Sequence, residues 1–210
     1  PPDAPWATSR PPSGALAPGV SYKIAEDLPV LGAPADALDL ELSSKLRWSI
    51  WLPVPRYSQR DPRWANQIMQ TCGSTIGQAG CLLTSATMVF RYYGSSMNPG
   101  QVNQCMGTRA CPWYFRYGAE HCSENKATFY GIFNPYYSTF VWALSEGYPP
   151  ILELTRGTST HWVVIYAVSG SGLRDRDYYI IDPWDGYAKS LTSYTSNGWE
   201  KRRVAIYGPR

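Results

Sequence analysis

"STIGQAGCLLTSATMVFRYYG", residues 74–94, places a single cysteine between a glycine and a helical pattern. Leu82, Ala86, Val89 and Tyr93 fall at i, i+4, i+7 and i+11, which is one face of a helix. Gly94 marks its end. Cys81 therefore stands at the helix N-terminus, and Gly80 before it permits a tight turn. Unpaired backbone N–H groups and the helix dipole favour an anion at such a position. The thiol is a candidate nucleophile. A crosslink and a buried small side chain are its two other uses.

The cysteine count bears on that choice. There are five: Cys72, Cys81, Cys105, Cys111 and Cys122. An odd number leaves at least one unpaired within the chain. Cys105, Cys111 and Cys122 crowd "QCMGTRACPWYFRYGAEHC", which reads as an irregular, stapled segment. With Cys72 they make two bridges, in any of three pairings, and leave Cys81 over. Two disulfides imply an oxidising, extracytoplasmic compartment. Zinc is the rival use of these thiols. It ranks lower because the spacing contains no C-x-x-C pair and the His121-Cys122 neighbours offer poor geometry for two ligands.

The 210 residues suit one domain with an extension. Apolar residues reach 44%, aromatics 14% and charged residues only 17%, a balance that excludes a disordered chain. The net charge of +3 is scattered, with no basic run to serve as a nucleic-acid footprint. No apolar stretch approaches the roughly 18 residues of a membrane helix, so neither nucleic acid nor a membrane span is expected. The chain opens on Pro1 without Met, which reads as a mature or excised fragment.

Residues 1–45 read as a Pro/Ala-rich arm or linker, with a short helix possible over 35–46. Residues 46–210 read as the folded domain. A strand over 46–54 leads into the polar loop "YSQRDPRWANQIM", anchored by Trp64. After the Cys81 helix come a short helix begun by Asn98 and Pro99 and a third over 138–147, capped by Ser138 and closed by Gly147. Four β-rich runs follow, at 150–155, 161–168, 178–182 and 203–208, separated by turn clusters. Helices first and an antiparallel sheet of about four to six strands second make an α+β fold.

A thiol nucleophile needs a base, and the chain has two histidines. His121 lies in the Cys-rich segment and reads as a surface residue. His161 opens the strand "HWVVIYAV", where its ring can face a helix N-terminus; an ordinary strand-edge histidine is the simpler alternative. Asp182 ends the next strand, "YYIID". If those strands form a hairpin, Asp182 comes beside His161 and can hold its tautomer. Asp182 is alternatively a turn former before Pro183, and Asp185 in "WDGY" is a better turn signal.

"YSQRDPRW", "TIGQAGCLLTSATMVFRYYG", "HWVVIYAV" and "YYIIDPWDG" together resemble papain-like cysteine peptidases of the bacteriocin-processing, double-glycine-leader type, nearest to stand-alone bacterial domains. The resemblance spans residues 53 to about 190. It implies the papain-like fold, Cys81 as nucleophile, His161 as general base and acid, and Asp182 as orienting acid. It also implies Gln59 as an oxyanion donor with the Cys81 backbone N–H beside it; Gln78 is the rival glutamine. Two departures stand out. The Cys105–Cys122 segment lies outside the general motif, as a lid or substrate-selecting loop. Leu82-Leu83 replaces the smaller Gly-Pro pair frequent after this cysteine.

The expected activity is hydrolysis of a peptide or amide bond in a peptide or protein substrate, through a thioester. No cofactor or metal is called for. Acyl transfer or deamidation would use the same triad. The non-enzymatic alternative is a peptide- or cell-wall-binding module, with Trp113, Tyr114, Phe115 and Tyr117 as its contact surface.

Overall fold

The structure, a computed structural model, describes residues 28–32 and 47–210. Most of the Pro/Ala-rich arm over 1–45, and the short helix expected over 35–46, lie outside the described residues. In chain order the strands are β1 (Val30–Leu31), β2 (Trp48–Trp51), β3 (Ile68–Met69), β4 (Ser74–Thr75), β5 (Ala127–Phe133), β6 (Ile151–Arg156), β7 (Ser159–Gly170), β8 (Tyr178–Asp182), β9 (Tyr187–Ser190) and β10 (Glu200–Pro209). The helices are α1 (Ile76–Ala79), α2 (Cys81–Tyr92), α3 (Pro99–Met106), α4 (Phe115–Cys122), α5 (Tyr137–Ser145) and α6 (Thr192–Thr195).

The fold is α+β. Its main sheet is larger than expected, with eight strands in the order β1-β5-β10-β6-β7-β8-β9, and with β2 paired to β7. Every pairing in it is antiparallel except β1 with β5. Two of the added strands escaped sequence reading for different reasons. β5 interrupts its apolar run with Gly131, and β1 is two residues long.

Strand β7 organises the packing. Its run of apolar residues lacks polar alternation because both faces are covered. Trp162 and Val164 pack with helix α2 and the α3–α4 region on one side. Val163 and Ile165 pack with Phe140 and Leu144 of α5, and with Tyr194 and Trp199, on the other. At about 25 cal/mol per Å2 of apolar surface, each fully buried large side chain contributes roughly 1.5–3 kcal/mol.

Helix α2 spans twelve residues, close to its expected length, with Tyr93 as C-cap and Gly94 at φ 100°. It does not start from an open loop. The one-turn helix α1 precedes it, opened by a capping box in which Thr75 Oγ1 accepts from the Gln78 N–H and Gln78 Oε1 accepts from the Thr75 N–H. Gly80 ends α1 and begins α2. A Cβ there would sit 2.5 Å from the Ile76 carbonyl oxygen, so only glycine fits the junction.

Helix α3 begins as expected, with Asn98 as N-cap in a capping box with Gln101 and Pro99 at the first helical position. Helix α5 corrects the expected start. Its N-cap is Tyr136, not Ser138, which is buried at the second helical position. Packing sets that boundary: Tyr137 stacks on Tyr178 at 5.8 Å and donates to Asp175.

Helix α4 corrects the expectation of an irregular segment. Its periodicity is nonetheless present, in buried Phe115, Gly118, Ala119 and Cys122. Gly118 lets the turn close on Trp113, whose ring a Cβ would approach to 2.9 Å. Two disulfides pin this region, Cys72–Cys111 and Cys105–Cys122, and Cys81 is unpaired and buried. They span 39 and 17 residues, each restricting the unfolded chain by roughly 3–4 kcal/mol.

The Gly80 junction yields a test. Gly80→Ala forces the Ile76 backbone to move and should cost about 1–3 kcal/mol. Thermal denaturation should show Tm falling by about 2–4 °C for each kcal/mol lost. An unchanged Tm would mean that the α1–α2 junction has room for a side chain.

Candidate active site

The site is assembled from three segments. The first is the start of α2. Its opening residues Cys81, Leu82 and Leu83 leave backbone N–H groups without intrahelical carbonyls. One turn on, the buried Ser85 Oγ donates to the Trp162 carbonyl oxygen at 3.2 Å. That bond lays the first turns of α2 along the start of β7, next to His161.

The second segment is the β7–β8 hairpin. Val164 pairs with Ile181, which brings the end of β8 beside the start of β7. His161 Nε2 lies 2.8 Å from Asp182 Oδ1. Both residues are buried. The Cys81 side chain lies beside the His161 ring and favours its protonated form. With Nε2 committed to Asp182, Nδ1 is the nitrogen left for the thiol.

The third segment is the loop before β3. Trp64 anchors it as expected: its ring is buried, its Nε1 donates to the Ser58 carbonyl oxygen at 2.8 Å, and Tyr57 packs edge-on against it. The loop is tied to the turn after β8 by the Gln59 N–H, which donates to the Pro183 carbonyl oxygen at 2.6 Å, and by Ser58 Oγ to the Trp184 carbonyl oxygen. The Gln59 side chain turns the other way and donates from Nε2 to the Gly77 carbonyl oxygen at 3.1 Å, four residues before Cys81. Gln59 thus bridges the acid-bearing turn and the cysteine-bearing helix pair, and it is buried. Gln78 is exposed, with its carboxamide oxygen committed to the α1 capping box.

The electrostatics centre on Asp182. Burial opposes its ionised form, but His161 and then Lys189 outweigh that and hold it well below the usual carboxylate range. Burial likewise opposes a charged His161. The Asp182 carboxylate, with a smaller share from Cys81, overcomes it and pushes the imidazole from its ordinary 6.5 up to about 9. His161 therefore favours the folded state fully below about pH 6.5 and loses that contribution as pH rises through about 9. Asp182 contributes above its ordinary 3.8 and loses that contribution as acid takes it toward its depressed folded value.

Sequence reasoning placed Cys81, His161 and Asp182 without placing what surrounds them. Asp182 accepts four hydrogen bonds. Oδ1 takes His161 Nε2 and the Trp184 N–H, while Oδ2 takes Lys189 Nζ and the Tyr194 hydroxyl, both at 2.6 Å. Tyr194 and Trp199 flank the imidazole at ring-centre distances of 5.4 and 6.4 Å. A signal for Lys189 existed in the β8–β9 register: Ile180 pairs with Lys189, on the same strand face as Asp182. Asp185 takes the expected turn role, accepting from the Tyr187 N–H and from Lys189.

The other candidates fall away from this centre. His121 is exposed and stacks on Tyr117 at 4.3 Å. Trp113 and Phe115, offered as a binding surface, are fully buried. Trp113 Nε1 donates to the Tyr207 hydroxyl, so these two rings belong to the core, while Tyr114 is exposed and Tyr117 is half-buried under His121. Among the described residues, no group of three or more His, Cys, Asp and Glu could hold a metal ion, and no helix is long and apolar enough to cross a membrane.

Comparisons with known proteins bear on the family. No match was found among curated proteins. A solved structure described as that of a C39-like peptidase from Bacillus anthracis is 12% identical, with a TM-score of 0.46, covering 78% of this chain and 100% of that one. The α+β architecture is that expected of a papain-like cysteine peptidase fold. A model of the Peptidase_C39 like family, a family of cysteine-type peptidases, matches residues 51–205 of the 210, and the chain belongs to that family.

Proposed function

We propose that the chain is a cysteine peptidase that hydrolyses a peptide or amide bond through a Cys81 thioester. The observation that carries this reading is the buried line of Cys81, His161 and Asp182, with His161 Nε2 held 2.8 Å from the carboxylate. Cys81 delivers the thiolate to the substrate carbonyl carbon. The oxygen that becomes negative takes hydrogen bonds from the Cys81 N–H and from a Gln59 Nε2 proton. An amide nitrogen carries two protons; one bonds to the Gly77 carbonyl oxygen, and the other serves the oxyanion. The tetrahedral intermediate collapses as His161 gives a proton to the departing amine. A water then attacks the thioester, His161 accepts its proton, and the acid product leaves with the thiolate–imidazolium pair restored. Asp182 keeps its charge throughout and orients the imidazole.

The substrate is a peptide or protein, and the site of action is extracytoplasmic, which the two disulfides support. The Gly80-Cys81 and Thr84-Ser85 pairs support a place beside the stand-alone bacterial domains related to bacteriocin-processing peptidases.

Cys81→Ala should remove turnover by about 10⁴-fold or more and leave the thermal unfolding curve close to native. Native-rate hydrolysis by that variant would exclude the mechanism. Gln59→Ala should lower kcat by about 10²–10³-fold, whereas Gln78→Ala should cost only a helix cap, seen in Tm. The reverse ranking would move the oxyanion donor to Gln78.

The pH profile supplies a further check. The imidazolium that protonates the leaving group is present below, and lost above, a pH of about 9. The alkaline limb of kcat/KM should fall there. Asp182→Asn removes the main influence raising His161, so its alkaline limb should move down toward about 6.5. A limb that did not move would detach Asp182 from the reaction.

A further inference from the structure

Asp182 spends only one of its two oxygens on His161. The other is held by two groups that no part of the mechanism above uses. Lys189 Nζ and the Tyr194 hydroxyl each lie 2.6 Å from Oδ2. Lys189 is mostly withdrawn from water, with its side chain 11% exposed, and it also binds Asp185 at 2.7 Å. Tyr194 is fully buried. A buried ammonium and a buried phenol on one carboxylate oxygen are costly to assemble unless fully paired.

We infer that Lys189 and Tyr194 are positioning residues that clamp Asp182 Oδ2, aim Oδ1 at His161 and restrain the basicity of the imidazole. The inference rests on the peptidase reading above for its kinetic consequence, though not for its effect on His161 itself. The geometry gives the clamp its direction. β8 and β9 form a hairpin in which Asp182 pairs with Tyr187, so Lys189 lies two positions along β9 from that pair. Tyr194 comes from α6, a separate element. Donors from two elements meet on one oxygen, and the Trp184 N–H completes the set on the other. The carboxylate plane cannot rotate without breaking a bond.

The charges set the second consequence. His161 is faced by Cys81 from α2, Asp182 from β8 and Tyr194 from α6, with Trp199 as an apolar neighbour. Behind Asp182 stand Lys189 and Asp185. Lys189 is the positive charge that shares Asp182 with His161. Removing it gives the carboxylate wholly to the imidazolium and removes a like charge from its neighbourhood, so His161 should hold its proton to higher pH. Removing the Tyr194 hydroxyl acts in the same sense but less, because a neutral donor is lost.

The test compares Lys189→Met, Lys189→Arg and Tyr194→Phe. The first readout is the His161 ring titration by NMR in the resting protein. The chain has two histidines, and exposed His121 is the internal reference. Lys189→Met should raise the His161 titration by about one pH unit, and Tyr194→Phe by less. Lys189→Arg, which keeps the charge and the donor, should stay near native. The second readout is the kcat/KM profile on a peptide substrate. Its alkaline limb should move up with the titration in Lys189→Met, while its plateau falls about tenfold or more as the carboxylate loses its aim.

A His161 titration unmoved or lowered in the folded variants would overturn the inference. It would leave the peptidase reading intact, since that stands on Cys81→Ala. If Lys189→Met fails to fold, the isosteric Tyr194→Phe decides alone: an upward shift supports the clamp, and no shift overturns it.

Discussion

The alignment of this site depends on how helix α2 lies on strand β7, where apolar packing is joined by one buried directional bond. Ser85 Oγ donates to the Trp162 carbonyl oxygen. Ser85 is one turn after Cys81, and Trp162 is next to His161. A hydroxyl–carbonyl bond in the dry core adds only about 1 kcal/mol net, but it is directional. The apolar residues around it hold α2 against the sheet by close packing. The hydroxyl adds a fixed direction to that packing, next to where thiol and imidazole meet.

The second constraint is the burial of charge. Asp182 is fully buried and ionised, a state that is unfavourable unless every lone pair is used. Four donors meet that demand from β7, the turn after β8, β9 and α6. The same turn receives the Gln59 loop through the Pro183 carbonyl oxygen. Asp182, His161 and Gln59 therefore belong to one hydrogen-bonded unit. The cysteine is joined to it by α2 packing and by the Gln59 contact with Gly77.

Much of this was legible along the chain. The period of Leu82, Ala86 and Val89 marks α2, and the Asn98-Pro99 pair marks the start of α3, because helix faces and caps are local properties. The unbroken apolar run of β7 shows a strand covered on both faces. Helix α4 and strand β5 were not legible. Cysteines and Gly118 obscure the first, and its place comes from disulfides and from Trp113. Strand β5 is settled by its partner β10, about 75 residues away along the chain, which no local window contains. The start of α5 moved because ring stacking of Tyr137 outweighed the capping preference of Ser138.

By itself the sequence determined the α+β class, the odd cysteine at a helix start, and one histidine and one aspartate on successive strands. These follow from periodicity, counting and strand order. Tertiary structure alone decided which cysteines pair, which glutamine faces inward, and who supports the acid. Gln59 and Gln78 are the same residue type on either side of a helix start, and only packing buries one and exposes the other. Lys189 and Tyr194 are ordinary surface-type residues in the sequence. They become part of the site because folding removes water from Asp182, and a carboxylate without water must take its hydrogen bonds from whatever the chain brings to it.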